Sequence, residues 1–242
     1  MIPLRDDIPR VHKPVAVVLV IAANVLAHVL VSSQDPYLRE ALYRLFGVVP
    51  ARYAFPDWAA FAGFPAMGAL PFFTYMFLHS GWWHLVLNMW MLWIFADNIE
   101  DVMGPVRFLA FYLLCGLAAL ALHMLFNLAG HAPIIGASGA VAGVMGGYVT
   151  LYPRGKVVTL IPIIIIPYIV DLPAWLFLGV WFASQVVSGL VDHLALEAGG
   201  IAWWAHVGGF MAGMLLVRLF MKPERCYHCE YKGFGKGFTF SE

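Results

Sequence analysis

Six stretches of this 242-residue chain are apolar over close to the roughly 20 residues a helix needs to cross a bilayer. They run at about 14–33, 82–98, 105–127, 134–152, 172–192 and 202–221. Hydrocarbon offers backbone N–H and C=O groups no water, so each stretch must close its own hydrogen bonds as a helix. Only 12% of the residues are charged, against about 25% in a soluble domain. The expected architecture is an all-α polytopic membrane protein with six transmembrane helices. A cytoplasmic N-terminal segment at 1–13, a six-helix domain at 14–221 and a cytoplasmic C-terminal tail at 222–242 complete it. The first apolar stretch follows Arg5, Arg10 and Lys13 and is long enough to span, so no cleavable signal segment is expected. The formal charge of zero makes no electrostatic case for nucleic acid.

A further apolar run, Val157 to Val170, holds 14 residues. As a helix at about 1.5 Å per residue it would reach about 21 Å, short of a core of about 30 Å. Pro162 and Pro167 would also interrupt it. It reads as an apolar loop lying in the interface. Six spans then put both termini on one side, with eleven Lys and Arg, and leave only Arg39, Arg44 and Arg52 on the other. That imbalance places both termini in the cytoplasm, with the plasma (inner) membrane of a prokaryote as the expected location. The first external loop, about 34–81, is unusually long. Within it, Leu38, Leu42 and Leu45 recur at helical spacing around Arg39, Glu40 and Arg44, as in a helix at headgroup level. Trp58, Phe61 and Phe64 add interface anchors.

The fourth stretch carries small residues and one hydroxyl, Ser138, within Gly136-Ala137-Ser138-Gly139. Gly139, Gly143 and Gly147 recur every fourth residue and form a groove for another helix. Taken alone, such a stretch is also a packing helix whose serine bonds back to its own carbonyls. The sixth stretch has a matching row, Ala205, Gly209 and Gly213, and runs in the same direction. Successive helical residues turn by about 100°. Ser138 precedes its row and His206 follows the first member of its own, so on facing parallel helices both point to one side of the seam. Ser138 and His206 are therefore expected to be neighbours.

The second stretch enters from the same side and adds His84 and Asn88, an i,i+4 pair. Four polar groups thus meet at one depth, where burying them is costly. A serine beside an imidazole is an activated nucleophile, with His206 as base and then acid. His84, Asn88, Gly136 and the backbone N–H of Ser138 are the candidates for oxyanion or substrate stabilisation. No Asp or Glu lies at this depth in the three stretches, so the reading is a dyad without an orienting carboxylate. Asp192, at the outer end of the fifth stretch, is the weakest candidate for a third member.

These residues carry a resemblance. Gly136-Ala137-Ser138-Gly139, the spacing of His79, His84 and Asn88, and Ala205-His206 followed by Gly209 and Gly213 resemble the rhomboid family of intramembrane serine proteases. The likeness runs from the first span to the sixth. It implies a six-helix rhomboid protease domain at 14–221, a Ser138–His206 dyad, and His84 and Asn88 at the oxyanion. Glu100, Gly104 and Arg107 resemble the family's Glu and following loop at the inner end of the second span. One position departs: Ala142 stands where family members often place an aromatic ring against the histidine, so support for His206 must come from elsewhere. The activity implied is a serine endopeptidase cutting transmembrane segments of single-span proteins near the outer leaflet. Its partners are transmembrane substrates and the lipid bilayer, with no cofactor and with the oligomeric state open. The alternative is a non-catalytic rhomboid-like protein that binds transmembrane helices for sorting or quality control, which would be expected to have lost Ser138 or His206. A transporter is disfavoured because no charged residue sits at mid-membrane.

The other signals read as ordinary. His28, His123, His131 and His193 lie near outer span ends, and His12 near an inner one, as interface residues with access to water. His79 reads equally as structural or as part of the site wall. Cys115, Cys226 and Cys229 make no disulfide framework. Cys226 and Cys229 have the inner spacing of a zinc site, but with only His228 nearby no metal site is expected. The tail after Pro223 reads as a solvated end.

Overall fold

A computed structural model describes residues 1–163, 166–195 and 201–230. The chain opens on strand β1 (Ile2–Asp6) and enters helix α1 (Val15–Ser32). The long loop then builds four short helices: α2 (Pro36–Phe46), α3 (Pro50–Ala54), α4 (Pro56–Phe61) and α5 (Pro71–Thr74), the last running into a 3-10 turn at Tyr75–Phe77. Each of the four begins on a proline, whose preset φ suits the first helical position and whose missing N–H would have had no partner there. Helices α6 (Trp82–Met103), α7 (Pro105–Phe126) and α8 (Ser138–Leu151) follow. Strands β2 (Lys156–Ile163) and β3 (Ile166–Pro173) precede α9 (Ala174–Ala195) and α10 (Trp203–Phe220).

All six apolar stretches are helical. Among the described residues, four helices, α1, α7, α9 and α10, are long and apolar enough to cross a membrane. The 14 residues of α8 reach only about 21 Å. Its start at Ser138 rather than at 134 has a local cause. The strand-like lead-in pairs Ile134 with Val48, and the Gly136 N–H donates to the Tyr75 carbonyl at 2.9 Å. The loop thereby supplies, inside the bundle, the backbone partners that a helix would otherwise supply for itself.

The α8–α10 seam allows backbone contact. A Cβ at Gly209 would stand 1.9 Å from the Gly139 carbonyl oxygen, and one at Gly213 would stand 1.8 Å from that of Gly143. Further in, Gly146 meets the Phe210 carbonyl and Gly147 the Val217 side chain, both on α10. The same glycines also receive α7, through Ala119 and Cys115.

Four expectations need correcting. The fold is not all-α: β1, β2 and β3 form an antiparallel sheet in that order. The described residues of the run at 157–170 form no irregular loop but lie in the antiparallel pair β2 and β3, with Lys156 opposite Pro173 and Pro162 opposite Pro167. Its β-branched residues suit a pleated surface, and its partner β1 lies too far away in sequence for periodicity to reveal. His28, expected at a wet interface, is 2% exposed, and its ring packs edge-on to Trp82 at 4.7 Å. The tail after Pro223 docks instead of floating free: the Glu230 N–H donates to the Leu151 carbonyl at 2.9 Å, and Cys226 and Cys229 pack against the core as a disulfide. Residues 231–242 of that tail lie outside the described residues.

Candidate active site

Ser138 is the first residue of α8 and His206 lies in the first turn of α10. Ser138 Oγ is 2.8 Å from His206 Nε2. The glycine seam brings the two helix starts this close, because any side chain at Gly209 would force the backbones apart.

His84, near the start of α6, hydrogen-bonds through Nδ1 to Ser80 Oγ at 3.1 Å. Its Nε2 points at Gly136, where a Cβ would come within 2.8 Å of Nε2 and 3.8 Å of Ser138 Oγ. His84 Nε2 and Ser138 Oγ therefore flank one small space. Gly136 keeps that space open, with a φ of 125° that favours glycine. The Gly136 N–H is taken by the Tyr75 carbonyl, so what this residue offers the site is room. Asn88 is buried one turn inward of His84 on the same helix.

His79 is 1% exposed. Its carbonyl accepts from the Tyr43 hydroxyl at 2.8 Å, and its ring stands edge-on to that of His84 at 5.0 Å. Burial first, then the His84 and His28 rings, push it down to about 3.

The residue missed from sequence is Gln185 on α9. Its Oε1 lies 2.7 Å from His206 Nδ1. The signal was a lone amide in an otherwise apolar stretch, 7% exposed where Val180 and Val187 are exposed at 47% and 59%. The Trp181 ring, one turn earlier, lies 6.0 Å from His206, and that of Trp203 stands edge-on at 6.1 Å. Both stand in the neighbourhood that Ala142 leaves without an aromatic. Asp192 is engaged elsewhere, accepting from Trp203 Nε1 at 2.6 Å. Among the described residues, no group of three or more His, Cys, Asp or Glu is placed to hold a metal ion.

At the far end of α6, Glu100 is buried and its two oxygens accept from the N–H groups of Ala16 and Val17 at 2.9 and 2.8 Å. It caps the start of α1 from another helix. Asp101 likewise accepts from Val11 and His12. Arg107 donates to the Phe220 carbonyl at 3.5 Å. These residues hold that end of the bundle together and do not touch the dyad.

A family model described as the Rhomboid domain matches residues 68–223, more than half of the chain. The chain belongs to the rhomboid family. It is 31% identical over 144 residues to Rhomboid protein 1, mitochondrial, of Saccharomyces cerevisiae, covering 57% of this chain and 38% of that one. It is 27% identical over 207 residues to the human Presenilin-associated rhomboid-like protein, mitochondrial, covering 82% and 46%. It is 29% identical over 163 residues to RHOMBOID-like protein 1 of Arabidopsis thaliana, covering 64% and 36%. The chain thus spans less than half the length of these relatives.

Proposed function

We propose that this chain is an intramembrane serine endopeptidase. The observation that carries the reading is the 2.8 Å contact between Ser138 Oγ and His206 Nε2 at the start of two parallel helices. Ser138 Oγ attacks the scissile carbonyl as His206 Nε2 takes its proton. His206 then returns that proton to the leaving amine, and a water activated by the same nitrogen releases the acyl group. The Ser138 N–H at the open end of α8, His84 Nε2 and the Asn88 amide stabilise the oxyanion. His79 holds His84 in place.

In the membrane, α6 and α8 complete a six-span bundle with α1, α7, α9 and α10. Both termini lie on the positively charged inner side. The pairing of β1 with β2 supports this, because it keeps the N-terminus and the hairpin at one end. The mitochondrial names of several relatives speak against the prokaryotic plasma membrane expected from the sequence, so the proposal is an orientation and not an organelle.

The substrate is a transmembrane segment of a single-span protein, cut near its outer boundary. The site sits among helices and needs an extended peptide, and unwinding a helix in lipid exposes costly polar groups. Segments weakened by Gly or Pro in their outer third should be preferred. The test incubates purified wild type and Ser138→Ala with such a segment and with a version in which those residues are Leu. Cleavage of the weakened segment by wild type alone is the expected result. Equal cleavage by Ser138→Ala would remove the dyad, and equal cleavage of the Leu-rich segment would remove helix instability as the signal read.

A further inference from the structure

A base that takes the proton of Ser138 through Nε2 must keep the lone pair on that nitrogen. Its other proton must then sit on Nδ1, and nothing in a free imidazole ensures this, since both tautomers are accessible. In the absence of a carboxylate, some other acceptor has to select the tautomer.

Gln185 is built to be that acceptor. Its Nε2 lies 3.3 Å from the Trp181 carbonyl and 3.0 Å from Ser184 Oγ. A carbonyl oxygen can only accept. The Ser184 hydroxyl donates its proton to the same carbonyl at 2.6 Å, leaving its own oxygen as an acceptor. Both neighbours therefore require the NH2 end of the amide, and the network by itself orients the side chain. The oxygen end is left facing His206 Nδ1 at 2.7 Å. An acceptor at that distance demands a proton on Nδ1, and Nε2 is then the acceptor for Ser138.

We infer that Gln185 is the positioning residue that holds His206 in the Nδ1-protonated tautomer, with Trp181 and Ser184 fixing which end of its amide faces the ring. This rests on the protease reading above. The residue does not touch substrate; it acts through His206. Its place on α9 also ties the fifth apolar stretch to chemistry carried on α8 and α10.

The experiment follows the rate of labelling of Ser138 by a fluorophosphonate across pH. It uses the purified full chain in wild-type, Ser138→Ala, Gln185→Leu and Gln185→Glu forms, with melting curves on each. Ser138→Ala takes no label. Gln185→Leu keeps the size of the side chain but has no acceptor. It is expected to label about ten- to a hundred-fold more slowly, the scale seen when partners that orient metal-bound histidines are removed. Gln185→Glu keeps an acceptor oxygen and adds charge, which favours imidazolium. It is expected to retain labelling with the acid limb of the profile moved to higher pH. A side chain at 185 that packs away from His206 Nδ1 would leave that limb where it is in wild type. Wild-type labelling by Gln185→Leu, or an unmoved acid limb in Gln185→Glu, overturns the inference. Should Gln185→Leu fail to fold, the acid limb of Gln185→Glu decides. A wild type that takes no label overturns the protease reading and this inference with it, whereas a labelled wild type matched by Gln185→Leu overturns this inference alone.

Discussion

The two ends of the bundle bury polar groups in different ways. At the Glu100 end, inner on the proposed orientation, the carboxylate of Glu100 meets two backbone donors and that of Asp101 meets the N–H groups of Val11 and His12 together with the His12 ring. At the outer end, Ser138, His206 and Gln185 form a chain of contacts in which an amide, not a carboxylate, meets the imidazole. A carboxylate whose oxygens are matched holds a structure and has little left to offer a ligand. A serine hydroxyl paired with an imidazole can give up its proton and attack a carbonyl. Polar burial alone therefore does not mark a site in this fold. A serine set against an imidazole does.

The sharpest break between the ends is a split between activity and stability. Ser138→Ala and His206→Ala should each reduce cleavage to background while the melting midpoint stays close to wild type. A large loss of stability in either would make the outer chain structural and erase the contrast. Asn88→Ala comes next. Loss of one oxyanion donor costs about 2.7–4 kcal/mol of barrier, so its rate should fall about 10²–10³-fold without reaching background. An unchanged rate would take Asn88 out of the site.

The inner end should behave the other way. Glu100→Ala strands the N–H groups of Ala16 and Val17, and unsatisfied buried donors cost about 1–3 kcal/mol. A lower melting midpoint with normal turnover per folded molecule is expected. A selective loss of turnover would mean that the two ends are coupled.

The smallest effect concerns Asp6, whose carboxylate accepts from the Tyr148 hydroxyl at 2.7 Å. Burial pushes this carboxyl up to about 7 from an ordinary value of 3.8. Below 3.8 it is protonated whether the chain is folded or not, and its contribution to stability is complete. As the pH rises toward 7, the unfolded chain ionises freely and the folded one resists, so this contribution is lost. Melting midpoints should decline over that window, and Asp6→Asn should flatten the decline. An identical slope in the variant would assign the pH dependence to another group.

Much of this could be read from the residues themselves. Helical spacing is local, so the apolar stretches, the amphipathic segment at 36–46 and the two small-residue rows were legible without a fold. The contact between Ser138 and His206 was legible for the same reason, since two helical rows and a shared direction are enough to put both on one side of a seam. Gln185 was not. An amide in an apolar helix faces lipid or a partner according to the rotation of that helix, and α9 has no small-residue row to set its rotation.

What the sequence determined by itself is therefore the set of helices and the seam, because both depend on periodicity within single segments. What only the tertiary structure decided is the pairing of distant segments. Glu100 caps an N–H group 84 residues away, and β1 finds a hairpin that reads, in isolation, as an apolar loop. The loop after α1 supplies the Gly136 N–H with a carbonyl, and so sets where α8 and its serine begin. These pairings satisfy backbone groups where water is scarce, and which groups meet is known only when the helices are assembled.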